Sequence, residues 1–191
     1  MKLDRTAGRP AWGRRGLVGL AMLLCASDTS LAQRVSVPPP PIPLLAWAAQ
    51  TVGVRRCLAA IAVVAQRNGE GATNQDVLLD WDHGAPDASA FFSLTGLEYG
   101  PGRSAALSLT TAPEAVGGGC SILAERISAA PVACPEVART ELGGYTGHPL
   151  LASITVYVDP GKPRETVTLI NSPPGCLVIR RQVQYAWPPN Q

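Results

Sequence analysis

The chain has little of what most catalytic sites are built from. Of its 191 residues only His83 and His148 are histidines, which leaves few places for a histidine general base or a histidine-rich metal cage. The G-x-S-x-G, H-E-x-x-H and glycine-rich phosphate-loop patterns are missing, and with them the nucleophile elbow, the zinc-protease helix and the nucleotide cradle. No C-x2-C pair and no close Cys-His pair occurs, so the cysteine spacings do not fit zinc. Lysine is nearly absent, Lys2 and Lys162 standing against fourteen arginines, and aromatic residues make up only 5%.

What is present begins with an export pattern. Residues 1–32 carry a basic start (Lys2, Arg5, Arg9, Arg14, Arg15), an apolar middle at 16–26 and Ser-Leu-Ala at 30–32, the three parts of a signal peptide cleaved before Gln33. The apolar part is about a dozen residues, short of the roughly 20 that a membrane span requires. An uncleaved anchor, a twin-arginine route through Arg14-Arg15 and a lipoprotein at Cys25 are the competing readings. Without residues 1–32 the chain keeps 11 basic and 12 acidic residues, so its basic pI belongs to the leader. That balance offers nothing to nucleic acid or to an anionic membrane, and no stable membrane insertion is expected after cleavage. A Pro-rich linker at 33–43, one domain at 44–187 and a tail at 188–191 complete the expected organisation.

Four cysteines remain after processing: Cys57, Cys120, Cys134 and Cys176. An even number in an exported chain predicts two disulfides. Of the three possible pairings, Cys57 with Cys134 and Cys120 with Cys176 is expected, because the latter two each open an apolar run after glycine.

Residues 44–67 read as one long helix. Ala, Leu, Gln and Arg dominate them, Pro43 suits a first turn, and Asn68-Gly69 supplies a left-handed stop. Trp47, Val54, Leu58, Ile61 and Ala65 recur at helical spacing and predict a buried stripe. Arg55-Arg56 in the middle argues against a membrane span.

Beyond the helix the period turns strand-like. Strands are expected at 76–81, 90–97 and 104–111, with a fourth at 120–127 that also reads as a helical turn. A short helix follows at 134–142, with Pro135 in its first turn and Gly143-Gly144 closing it. The run 150–159 predicts a strand with Ile154, Val156 and Val158 on one face, returning at 165–170, and a last strand covers 176–183. The expected fold class is therefore α+β: the long N-terminal helix packed on an antiparallel sheet of about six strands, one further short helix, two disulfides. Two halves, each a helix followed by strands, suggest a pseudo-repeat without residue-level identity.

Several residues are candidates for chemistry. Asp80, Asp82, His83 and Asp87 could hold a divalent cation, although the stretch departs from the calcium-loop pattern and has the composition of a solvated turn. Cys120 with His148 could form a nucleophile pair in a small envelope hydrolase, in competition with a disulfide. Tyr99, Tyr145, His148 and Trp187 could meet a partner, against the simpler use of Tyr145 and Trp187 as core cover. The expectation is an exported, periplasmic binding or accessory protein such as an inhibitor, immunity or assembly factor. It has a protein partner in the cell envelope and needs no cofactor; the non-enzymatic reading is preferred, and the alternative is a small envelope hydrolase using Cys120 with His148 or a metal at Asp80, Asp82, His83 and Asp87.

Overall fold

The computed structural model describes residues 42–115 and 117–188. The leader at 1–32, nearly all of the linker and the end of the tail lie outside the described residues. Two helices come first, α1 (Leu44–Thr51) and α2 (Leu58–Gly69). Four strands follow: β1 (Asn74–Trp81), β2 (Phe91–Glu98), β3 (Ser104–Pro113) and β4 (Cys120–Ala130). A third helix, α3 (Cys134–Glu141), leads to β5 (Thr146–Leu151), β6 (Ile154–Val158), β7 (Glu165–Ser172) and β8 (Gly175–Trp187). All eight strands belong to one antiparallel sheet in the order β1-β2-β3-β4-β8-β7-β6-β5.

The expected long helix does not form, and the described residues are mostly sheet with three short helices. The interruption at residues 52–57 has two physical causes. Gly53 takes a left-handed φ of 96°, which ends α1, and the Val54 N–H turns back to the Ala49 carbonyl at 3.1 Å. Asp87, 31 residues downstream, then accepts the Arg55 and Arg56 N–H groups on one carboxylate oxygen at 2.7 and 2.6 Å. The backbone donors ahead of α2 are thus satisfied from outside the helix. The break also resets the helical phase: Val54, Ile61 and Ala65 are buried as expected, but Trp47 is 51% exposed.

The described residues form eight strands where about six were expected, and the predicted strand at 150–159 covers the end of β5, a turn and β6. Residues 152 and 153 turn the chain, so that β5 pairs with β6. β5 is exposed along its whole length and forms one edge of the sheet, where Pro149 needs no ladder partner for its missing N–H.

Each half of the chain is a helical segment followed by a four-stranded meander, and the halves join where β4 pairs with β8. The disulfides follow this division and correct the expected pairing. Cys57 is bonded to Cys120 and Cys134 to Cys176. In both halves a cysteine at the start of a helix is stapled to one at the start of the fourth strand. The same offset separates Cys120 from Cys176 and Glu125 from Arg181, and the latter two are register partners, so a pseudo-twofold runs through that pair. The glycine before each strand cysteine has a matching role. A Cβ on Gly119 would stand 3.0 Å from the Trp187 carbonyl oxygen, and one on Gly175 would collide with the Ala130 carbonyl oxygen, each at one end of the β4–β8 seam.

All three helices lie on one face of the sheet. α1 and α2 cover a core that includes Leu45, Ile61, Phe91, Leu107 and Leu109; α3 covers a smaller one of Val137, Val167, Leu169 and Val178. Register and alternation place Ile122 and Ala124 of β4 on the same side as Cys176 and Val178 of β8. Among the described residues the opposite face carries no helix.

Candidate functional site

The helix-free face is where the sequence and its burial disagree. In β2 the inward positions are Phe91, Ser93, Thr95 and Leu97, all buried, while Phe92 and Leu94 point outward at 47% and 46% exposure. Two hydroxyls therefore occupy a core that two large apolar side chains have left. The Thr95 hydroxyl, flanked by Val77 and Leu107, and the Thr111 hydroxyl, flanked by Phe91 and Ile122, are buried without a hydrogen-bond partner. The equivalent strand of the second half repeats the inversion. Thr155 and Tyr157 of β6 oppose the buried Leu169 and Val167, so the apolar set Ile154, Val156 and Val158 lies on the helix-free side. Leu78 of β1, 69% exposed, stands directly opposite Leu94. Asp76, Asp80 and Glu98 fringe this end of the face, and all three are exposed. At its middle Arg181 meets Glu125 at 3.7 Å.

The face has the dimensions of an interface. Eight strands about 4.8 Å apart, each contributing about six residues at ~3.3 Å per residue, present roughly 750 Å². A stable protein–protein contact of standard size buries about 800 Å² on each partner.

A second feature lies on the helix side. α2 and α3 pack on different strands and leave the central pair β4 and β8 partly uncovered between them. The resulting cleft of about 560 Å³ has Ala124, Arg126, Arg180 and Gln182 from the central strands, with Arg67 and Asn68 from the end of α2 on one side and Tyr145 and Lys162 on the other. Arg126 and Arg180 are direct cross-strand neighbours, an arrangement that costs stability because like charges face each other. Arg180 is relieved by an ion pair to Glu141, and the Arg126 guanidinium lies 5.2 Å above the Tyr99 ring. Arg67 is exposed at the C-terminal end of α2, where the helix dipole favours a cation.

The residues singled out in the sequence fall in different places. Asp82 closes its own turn: one carboxylate oxygen accepts the Gly84 N–H at 2.9 Å and the other the Ser89 hydroxyl at 3.0 Å. These bonds, the Gly84 one foremost, hold its pKa below the usual 3.8. His83 stacks on Trp81 at 4.4 Å, Asp80 sits on β1 opposite Phe92, and Asp87 is engaged at the α2 entry. Among the described residues no three His, Cys, Asp or Glu side chains converge as a metal site would require. The sulfur of Cys120 is bonded to Cys57 and buried, so it is not a thiol, and His148 lies out on the edge strand β5. Tyr99 donates its hydroxyl to the Asn68 carbonyl, Tyr145 borders the cleft, and Trp187 packs into the first core.

Arg67, Arg126, Lys162 and Arg180 were not foreseen as a group, because four separate segments bring them together. The only local cue is that Glu125-Arg126 and Arg180-Arg181 interrupt otherwise apolar strands. No helix among the described residues is long and apolar enough to cross a membrane. No family model, curated protein or solved structure matches the chain.

Proposed function

We propose that the chain is an exported, disulfide-stapled binding protein, without catalytic chemistry or cofactor, that meets a protein partner of the cell envelope across the helix-free face of its sheet. The reading rests on the inverted strands. A fold that keeps Ser93 and Thr95 inside and Phe92 and Leu94 outside gives up stability of its own, and natural sequences depart from local consistency chiefly where function asks for it. Leu78, Phe92 and Leu94 within a fringe of Asp76, Asp80 and Glu98 suit a partner with an apolar centre and a basic rim. The two disulfides fit an oxidising compartment.

The test is comparative capture from a periplasmic extract with the wild type and with Leu94→Lys, which places a cation at the centre of the patch. A partner retained by the wild type and lost by the variant, with unchanged far-ultraviolet circular dichroism, is the expected result. Equal retention by both proteins refutes the assignment of the face. A wild-type mass of two copies in light scattering, reduced to one by Leu94→Lys, would hand the face to self-association instead.

A further inference from the structure

The cleft between α2 and α3 makes no use of the apolar face, and its chemistry points elsewhere. Its volume of about 560 Å³ falls within the roughly 300–1,000 Å³ typical of small-molecule sites. Five cations line it, Arg67, Arg126, Lys162, Arg180 and Arg181, together with one carboxylate, Glu165. Three of them are already matched by carboxylates, Arg180 with Glu141, Lys162 with Glu165 at 3.7 Å and Arg181 with Glu125 at 3.7 Å. Arg67 and Arg126 form no salt bridge among the described residues. A surplus of two cations is thus gathered in one concavity of a chain whose charges otherwise nearly balance.

The floor carries the stronger argument. Opposing Arg126 to Arg180 across a central strand pair is unfavourable, and of the two only Arg180 has a carboxylate, Glu141, to offset the repulsion. The Tyr99 ring supports the Arg126 guanidinium at 5.2 Å, a contact that leaves its charge without a carboxylate partner among the described residues. Gln182, Asn68 and Tyr145 add neutral polar groups around the same space.

We propose that this cleft is a binding site for a small oxyanion with at least two anionic oxygens, held by Arg126 and Arg67 and closed in by Arg180 and Lys162. Guanidinium groups recognise carboxylate and phosphate through the same paired N–H donors, so the two sources share one chemistry here.

Calorimetric titration of the disulfide-intact protein at low ionic strength, with inorganic pyrophosphate in one arm and citrate in the other, decides the matter. Saturable one-site binding with Kd of about 1 mM or tighter is expected in at least one arm, equivalent to about −4 kcal/mol. The tighter arm names the source as phosphate or carboxylate. Arg126→Gln and Arg67→Gln should each weaken binding about tenfold or more, while Arg139→Gln, on the exposed side of α3, should not. Arg67 is exposed, so its variant remains informative if Arg126→Gln unfolds. No saturable heat from either probe up to about 10 mM, or equal losses in Arg139→Gln, overturns the site.

Discussion

Filling the two orphaned hydroxyl positions with carbon should make this protein more stable, which is the opposite of what most core substitutions do. Thr95 and Thr111 are 2% and 1% exposed, and neither hydroxyl has a partner. Leaving a buried hydroxyl unpaired costs about 1–3 kcal/mol, and valine has nearly the same shape and at least the same strand preference. After allowing for relaxation around each site, Thr95→Val and Thr111→Val should each gain about 1 kcal/mol. Thr95 opposes Leu107 and Thr111 opposes Phe91, so the two lie four residues apart along the strands, about 13 Å, and their effects should add. The double variant should then gain about 2 kcal/mol, which for a domain of this size raises Tm by roughly 4–8 °C. Urea unfolding of the oxidised protein reads this directly as a higher midpoint with unchanged slope. A double variant of equal or lower stability would refute the reasoning, since it would mean that the hydroxyls are satisfied in solution or that the inner face is not dry.

Three further outcomes follow from the same contacts. Gly175→Ala should destabilise by about 1–3 kcal/mol through the collision with the Ala130 carbonyl oxygen, and by more than Gly119→Ala, as compared by denaturant midpoints. Asp87→Ala removes the acceptor of the Arg55 and Arg56 N–H groups and should cost about 1–2 kcal/mol, with amide exchange accelerated in the first turn of α2 ahead of the sheet. Glu114 accepts the Ser121 hydroxyl and the Ala186 N–H, which depress its pKa below the usual 4.5; the unfolded chain therefore binds the proton more readily, so this contribution is present above pH 4.5 and lost as pH falls through the folded value. Glu114→Gln should accordingly flatten the acid limb of stability against pH below about 4.5, measured by thermal melts across that range.

Much of the secondary structure was legible because it is set locally. Alternation and turn residues locate β1 to β4, Pro135 and Gly143 bound α3, and the turn at residues 160–163 separates β6 from β7. What was missed depends on residues far apart in the chain. The interruption after α1 is stabilised by Asp87, which looked like a cation ligand because its partners are backbone donors 31 and 32 residues away. The disulfides were paired by the likeness of two Gly-Cys sites, a likeness that reflects equivalent places in two halves rather than contact. Hydrophobic alternation in β2 gave the right strand but the wrong buried face: Phe92 and Leu94, alternating with Ser93 and Thr95, read as the inner side, whereas Phe91 and Leu97 carry the hydroxyl positions inward with them. The cationic cleft had no sequence signature beyond charges inside two apolar strands.

Because each covalent staple closes within its own half, the described halves are joined by non-covalent contacts alone (the main-chain pairing of β4 with β8, the Glu125–Arg181 ion pair, the Ala186 N–H on the Glu114 carboxylate and Trp187 in the first core), apart from the peptide link through the exposed Pro131, Val132 and Ala133. A protease that cuts that link leaves two closed fragments that can part without any reductant. An intact chain whose seam opens presents the sticky edge of one half to the complementary half of a neighbour, so that two molecules can trade halves while every sulfur bridge stays in place.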